Sequence, residues 1–399
     1  MKRIVFTLLF IVSLLPMAAQ KKEINAAMDN LKANKNLDKV EVSMTTLLKD
    51  SANMRNEKIW RLLFESMQKQ YQAGNEKLYL KQKYDTTFLF NIASRMFTAM
   101  TAYDSIDALP DKKGRIKLNM RKQNAQILNT LRPNLFNGGI YFIGKHDYAR
   151  AYELFNQYIC AAEMPMFQVF NYSSKDKHLP SAAYWAAYCG YKMKDTQKVL
   201  HNTYLALKDT EHHESMLQYL AETYMSEKDT TRSIATLKEG FSLNPKSEYF
   251  YSHLMEYYSM HSDWKEASAL TDKAIKADST NATVWLAKST ILINTGDYVS
   301  SFVIADSLIK KDSTMAEAWL NAGLAKYNQG VRLDKNTQTV RQKRQQMVNY
   351  YKQALPYLEQ YRKMRPQEQN KWALPLYTIY LNLNMGKQFD EIDKLMRKP

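Results

Sequence analysis

The segments ATVWLAKSTILINTGDY (282–298) and AEAWLNAGLAKYNQG (316–330) present one pattern twice in succession. Trp285 and Trp319 hold the same place in the two copies, and each copy runs into a glycine-containing turn. A fixed period of about 20–50 residues is typical of repeat proteins, in which each unit buries its apolar face against its neighbours. The two segments therefore predict a solenoid of stacked repeats.

The period set by Trp285 and Trp319 extends towards the N-terminus. Aromatic residues recur at its first-helix positions, as at Tyr224 and Tyr258, and small residues recur in its second helix, as at Ala267 and Ala274. Five consecutive registers begin near Pro180, Glu214, Glu248, Ala282 and Ala316. Agreement at many positions at once makes the period a specific signal.

This pattern resembles the tetratricopeptide repeat, whose unit is about 34 residues long. The chain is similar to members of that family of the exported Gram-negative envelope type. The matching residues are Trp285, Trp319, Gly323, Tyr258, Tyr224, Ala267, Ala274 and Pro245. The resemblance implies an all-α fold, a right-handed superhelical solenoid of antiparallel helix hairpins. The expected array also includes a 14-residue insertion ahead of Pro180 and a 19-residue insertion after Gly330.

The sequence divides into six predicted segments. They are a signal peptide (1–19), an N-terminal helical region of degenerate repeats or a cap (20–131), a repeat with a connecting insertion (132–179), a tandem array (180–330), a basic insertion (331–349) and C-terminal repeat-like helices with a cap (350–399).

The N-terminal segment has the features of an export signal. Lys2 and Arg3 precede an apolar run from Ile4 to Leu15, and small residues end at Ala19. The alternative is a membrane anchor, but the run is shorter than the ~20 residues that span a bilayer. We expect cleavage after Ala19 and an exported protein, periplasmic or at the cell surface, with no transmembrane segment in the mature chain.

Positive charge is concentrated in two blocks. The formal net charge is +16, and residues 111–150 hold nine basic and two acidic residues, while residues 326–399 hold fifteen and six. One interpretation is a set of solvated helix faces; the other is capture of an acidic partner. We expect the insertion 331–349 to form a protruding hairpin whose basic patch comprises Arg332, Lys335, Arg341, Lys343 and Arg344.

No pattern of catalytic or metal-binding residues occurs in the sequence. The zinc and phosphate-loop motifs and the serine nucleophile elbow are all missing, so we predict no enzyme, metal or cofactor. The cluster His212-His213-Glu214 falls at a repeat junction, where a polar turn accounts for it. Cys160 and Cys189 fit either buried free thiols or a disulfide. Nucleic acid is not expected as a partner, since no recognised module is present.

In proteins that this sequence resembles, first helices line a concave groove that binds the partner. The corresponding residues here are Tyr184, Tyr188, Gln218, Glu222, Tyr249, Ser252, Glu256, Leu286, Thr290, Asn294, Leu320, Asn321 and Leu324. Of the Lys and Asn pattern by which chaperone-binding members hold a C-terminal carboxylate, only Asn321 matches.

The sequence thus predicts a non-catalytic protein-interaction scaffold of the bacterial cell envelope, which binds a protein or peptide partner through the groove. Tyrosine supplies large amphipathic contact area at low entropic cost, which suits peptide recognition. The alternative is a glycan- or peptidoglycan-binding module in which the tyrosines stack on sugar rings.

Overall fold

A computed structural model of the chain describes residues 20–334 and 342–397. Within these ranges every regular element is a helix and no strand occurs, which confirms the predicted all-α class. The chain divides into two compact units, Met1–Asp229 and Thr230–Pro399. The predicted signal segment 1–19 lies outside the described residues.

The first unit consists of helices and short 3₁₀ turns that enclose one apolar core. Its helices are α1 (20–32), α2 (Leu37–Leu47), α3 (Glu57–Tyr79), α4 (Thr86–Asp107), α5 (Arg121–Gly144), α6 (Tyr148–Cys160), α7 (Tyr172–Lys175), α8 (Leu179–Lys192), α9 (Thr196–Leu200), α10 (Thr203–Ala206) and α11 (His213–Ser226). The 3₁₀ turns are Ser51–Asn53 and Pro165–Phe170. The region 20–131, predicted to be helical, therefore contains helices that pack as neighbours along the chain.

The second unit continues with hairpins of nearly uniform length. Its helices are α12 (Thr230–Leu243), α13 (Glu248–Met260), α14 (Trp264–Ala277), α15 (Ala282–Thr295), α16 (Tyr298–Lys311), α17 (Ala316–Asp334), α18 (Gln342–Met364), α19 (Gln369–Asn382) and α20 (Gly386–Met396). Each helix packs on the next one in sequence. The helices α19 and α20 lie in the segment 350–399, for which the sequence predicts repeat-like helices and a cap.

The helix bounds reproduce the predicted register. First helices begin at Leu179, His213, Glu248, Ala282 and Ala316, each at or next to its predicted start. Second helices begin at Thr196, Thr230, Trp264 and Tyr298, in equal steps along the chain. The repeats are therefore tetratricopeptide-like helix hairpins.

The turns that precede α9, α14 and α16 combine a residue of left-handed backbone conformation with an aspartate that caps the next helix. The residue directly before the N-cap of the second helix adopts the left-handed backbone conformation. Its φ is 56° at Lys194, 54° at Ser262 and 86° at Gly296. An aspartate follows, and its carboxylate accepts the backbone N–H three residues on: Asp195 from Lys198 at 3.1 Å and Asp297 from Ser300 at 3.1 Å. Such capping satisfies N–H groups that have no partner within the helix. Each second helix is thereby started at a fixed point of the repeat.

Two successive repeats also end alike, although neither has the proline of the family pattern. Asp278 accepts hydrogen bonds from the N–H and hydroxyl of Thr280, at 2.9 and 2.6 Å, and this aspartate turn ends α14. Trp285 then donates its indole N–H to the carbonyl of Ser279 at 2.9 Å. Asp312, Thr314, Ser313 and Trp319 make the same contacts one repeat later. Side-chain hydrogen bonds therefore replace proline as the stop signal.

Close helix pairing depends on glycines at contact positions. A Cβ built on Gly139 would lie 2.5 Å from the ring of Phe155, which is fully buried on α6. A Cβ on Gly323 would lie 2.6 Å from Leu358. These glycines therefore let a large side chain of the partner helix approach the backbone, and Gly323 is one of the residues that carry the family resemblance.

A buried arginine fastens the connecting insertion to the first unit. The guanidinium of Arg132 lies between the rings of Tyr158 and Tyr172, 3.6 and 3.9 Å from their centroids. It also donates to the carboxylate of Asp176 at 2.6 Å. Burial raises the pKa of Asp176, but hydrogen bonds from Tyr158, Arg132 and the N–H of His178 outweigh this and leave the pKa below its usual range. The insertion is thus an ordered part of the core.

Three features depart from the expected organisation. The helix predicted to start near Arg132 begins at Arg121, so the boundary at 131/132 falls inside α5. The second helix of the Pro180 repeat is broken into α9 and α10. The division into units, between Asp229 and Thr230, lies inside the predicted array 180–330.

None of the described helices combines the length and apolar character needed to cross a membrane.

The described residues of the insertion 331–349 belong to two long helices. Its first residues extend α17 to Asp334, and its last residues belong to the start of α18 at Gln342. The segment between these helices, 335–341, lies outside the described residues. The described residues of the insertion therefore lengthen the two helices of an existing hairpin, and the protrusion of the insertion stays a prediction.

We predict opposite effects for two glycine substitutions in α5. Gly139→Ala should lower the free energy of unfolding by about 1–3 kcal/mol, because its methyl group would overlap the Phe155 ring. Gly144→Ala should be neutral or stabilising by about 0.5 kcal/mol, since nothing lies within 4 Å of its Cβ and alanine favours helix. Urea unfolding followed by circular dichroism measures both. Equal effects would contradict the glycine contact.

Candidate functional site

Four predicted groove residues lie in the first unit, on two neighbouring helices. Tyr184 and Tyr188 are on α8, and Gln218 and Glu222 are on α11, which packs against it. Tyr188 and Gln218 are half-buried and Glu222 is exposed. Tyr184 is only 4% exposed, which corrects its assignment to the groove: its ring packs in the core.

Around Tyr188 the structure assembles a set of half-buried rings. The Tyr188 centroid lies 5.5 Å from Trp185, 6.1 Å from Tyr148 and 6.0 Å from Tyr219. Tyr191 stacks on Tyr219 at 4.4 Å. We call these five residues the aromatic surface; they come from α6, α8 and α11.

Buried Tyr184 and half-buried His212 pack against rings of the aromatic surface. Tyr184 stacks on the imidazole of His212 with centroids 4.2 Å apart, and Trp185 meets the same imidazole edge-on at 5.3 Å. His212 Nδ1 is 2.9 Å from the carboxylate of Asp209. His213 Nδ1 donates to the carbonyl of Leu207 at 2.8 Å. The two histidines therefore have packing roles at the start of α11, rather than forming an exposed polar turn.

Charged groups border one end of the aromatic surface. The Tyr191 hydroxyl donates to Glu222 Oε2 at 2.5 Å. This hydrogen bond, together with burial, raises the pKa of Tyr191 to about 12. The ammonium of Lys192 lies 5.3 Å from the Tyr188 centroid. A groove of about 510 Å³ opens beside Tyr191 and Glu222, and Thr196 and Glu227 are among the residues that line it.

Sequence reasoning missed four of the five rings as site residues. Trp185 and Tyr219 occupy the same position of successive repeats, and this equivalence was the available signal. Tyr191 lies one turn after Tyr188 on the same helix. Tyr148 could not be found from the repeat pattern, because its contact with Tyr188 joins the start of α6 to the later part of α8.

Nine predicted groove residues lie in the second unit. Tyr249, Ser252 and Glu256 are on α13, Leu286, Thr290 and Asn294 on α15, and Leu320, Asn321 and Leu324 on α17.

The second-unit residues differ in accessibility. Leu320 and Asn321 are 6% and 5% exposed, so they are packing residues, which corrects their assignment. The Asn321 amide donates to the Thr290 hydroxyl at 2.9 Å and ties α17 to α15. The Asn321 side chain therefore makes a contact inside the protein. The other seven are half-buried or exposed.

The predicted basic patch is only partly described. Arg332, at the end of α17, is exposed, and its guanidinium lies 5.7 Å from the Tyr298 ring. Lys343 and Arg344 lie at the start of α18, half-buried and exposed respectively. Lys335 and Arg341 lie outside the described residues.

The described residues offer no arrangement for metal chemistry. In residues 20–334 and 342–397, no group of three or more His, Cys, Asp or Glu side chains is placed to hold a metal ion. Cys160 and Cys189 are free thiols. Burial raises the pKa of the Cys189 thiol to about 12, which leaves it protonated and unreactive at neutral pH.

Among known proteins, the chain is similar to several solved structures. No family model matches the chain, and no characterised protein matches it in sequence. The C-terminal part of a TPR repeat-containing protein from Cytophaga hutchinsonii is 15% identical, with 65% of this chain and 93% of that chain covered and a TM-score of 0.42. A tetratricopeptide repeat protein from Parabacteroides merdae is 13% identical, with 67% and 99% covered and a TM-score of 0.35. The repeat assignment rests on the helix register of this chain.

We predict that Glu222 controls the ionisation of Tyr191. Glu222→Gln should lower the Tyr191 pKa from about 12 towards its ordinary value near 10, because no carboxylate would then oppose the phenolate. NMR titration with tyrosine labelled at Cζ measures this. Glu239→Gln, at an exposed position of the second unit, is the control. An unchanged Tyr191 pKa in the Glu222 variant would contradict the contact.

Proposed function

We propose that the chain is a non-catalytic scaffold that binds a protein partner through the aromatic surface. The observation that carries the proposal is five half-buried rings, from three helices, that remain at the surface of a unit with a closed apolar core. Large aromatic side chains are enriched where protein partners bind, since they bury much area at little cost in rotamer entropy. Two of these rings, Trp185 and Tyr219, pack against Tyr184, and Trp185 also contacts His212, which reduces the ordering cost of binding.

Ring geometry favours a protein over a carbohydrate partner. A sugar ring stacks on an open aromatic face. Tyr191 and Tyr219 cover one face of each other, with ring planes 24° apart. Trp185 and Tyr148 meet Tyr188 at 86° and 78°, so the rings form a faceted surface in place of a flat platform. Such facets fit apolar side chains of a peptide better than pyranose rings.

The charged residues around this surface add to the proposal. Lys192 and Glu222 lie at its edge and can select the partner's polar groups. In the second unit, the exposed Arg332 and Arg344 extend the proposal to an acidic partner. Rim charges of this kind chiefly change the association rate and its salt dependence.

We further propose that the protein acts in the bacterial cell envelope, either in the periplasm or at the cell surface. The support is sequence alone: the charged start at Lys2 and Arg3, the apolar run and the small residues before Gln20. The partner is then a protein of the same compartment.

Site-specific photocrosslinking in the native cell tests the interaction. With p-benzoylphenylalanine in place of Tyr188, irradiation should give one or a few discrete protein adducts. The matched control replaces Tyr204, a tyrosine of the same unit that is 79% exposed on α10. The adducts should be absent there and should be lost when Trp185→Ala and Tyr219→Ala are added, because the docking rings are then removed.

Two results would overturn the proposal. Identical adducts from both positions would show collision with abundant proteins and no specific docking. Adducts that mass spectrometry identifies as glycan, with no protein, would favour the carbohydrate-binding alternative.

A further inference from the structure

A second groove, in the second unit, is lined by residues of α12, α13 and α14. Its volume is about 660 Å³, within the range of ligand-binding clefts in proteins. α12 and α14 both pack on α13. Small residues on α14, Ala269 and Ala277, face the space between the second helices and leave it unfilled. The groove lies on the side of α13 that carries Leu254 and Tyr258, away from the predicted groove residues Ser252 and Glu256.

The floor of this groove is apolar and recessed. Phe241, Leu254 and Leu270 contribute to it, and their exposed fractions are 5%, 0% and 7%. Ala269 is exposed at the wall. Apolar side chains of a ligand that entered the groove would therefore leave water and contact a preformed apolar surface.

The rim of the groove is positively charged. Lys238, Lys273 and Lys276 are exposed at its edge, and Glu266 is the one acidic residue among those that line it. Among the described residues, none of the three lysines forms an ion pair with a carboxylate, although the Lys238 ammonium lies 5.8 Å from the Tyr258 ring. Three such ammonium groups over an apolar floor are complementary to a ligand that combines negative charge with apolar side chains.

We propose that this groove binds an acidic peptide segment in which Asp or Glu residues alternate with Leu or Phe. Carboxylates would meet the three lysines while apolar side chains reach Phe241, Leu254 and Leu270. A recessed floor favours a peptide over an anionic membrane, because a flat lipid surface meets the lysines without reaching the floor. The groove shares no residue with the aromatic surface, so this inference stands independently of the proposed function.

Peptide selection on the full chain tests the inference. A display library of random twelve-residue peptides should yield sequences enriched in Asp or Glu next to Leu or Phe. The triple variant Lys238→Glu, Lys273→Glu and Lys276→Glu should weaken their binding at least about tenfold, with a flatter salt dependence. The matched control reverses three exposed lysines elsewhere in the same unit, Lys311→Glu, Lys352→Glu and Lys387→Glu, and should bind as the unaltered chain does.

Two further variants locate the binding site. Ala269→Trp should weaken binding by a similar factor without loss of helix content, because Ala269 is exposed and an indole there fills the groove. Tyr188→Ala should leave binding unchanged. Fluorescence anisotropy with a selected, labelled peptide measures all variants.

Several outcomes overturn the inference. Equal weakening by the two triple variants would show a net-charge effect. Loss of binding in Tyr188→Ala alone would move the peptides to the aromatic surface and would support the proposed function instead. Absence of acidic, apolar peptides from the selection, together with lysine-dependent binding to phosphatidylglycerol vesicles, would identify a membrane contact.

Discussion

The fold depends on how closely the paired helices approach. At Gly139 and Gly323 the backbone of one helix lies where a large side chain of its neighbour needs room, and no side chain larger than hydrogen fits. Each hairpin of a repeat protein buries its apolar face only on adjacent hairpins, so a pair held apart by one methyl group loses contacts along its whole length. These contact residues therefore constrain the packing of everything that follows them.

Residues in the turns fix the points at which helices begin and end, and this gives the packed helices a regular register. A left-handed residue followed by a capping aspartate fixes where each second helix begins, and an aspartate turn or proline fixes where it ends. The remaining side chains are then not needed to set the register of the helices. The aromatic surface is distinctive in this respect, because its rings remain half-buried although the core beneath them is complete.

Much of the fold was predictable from the sequence, because repeats place equivalent residues at equal intervals. The starts of five first helices follow from that periodicity, and so does the small residue at Gly323. The division of the insertion 331–349 between α17 and α18 was not predictable, since helix and loop segments can have similar composition. The break between α9 and α10 has no counterpart in the repeat pattern of the sequence.

The candidate site was predictable only in part. Register shows which side of a helix a residue occupies, but the depth of burial depends on the neighbouring helix. Tyr184 is covered by His212, and the Asn321 amide donates a hydrogen bond to Thr290. Neither side chain is therefore available at the surface. Conversely, Trp185 and Tyr219 belong to it because α8 and α11 pack side by side.

The central claim is that a protein partner docks on the aromatic surface, and hydrogen–deuterium exchange of the complex tests it most directly. With the partner identified by crosslinking at Tyr188, amides in 184–192 and 216–226 should exchange more slowly in the complex, while those in 203–206 should not change. Unchanged exchange in the first two segments, with protection elsewhere in the chain, would contradict the account.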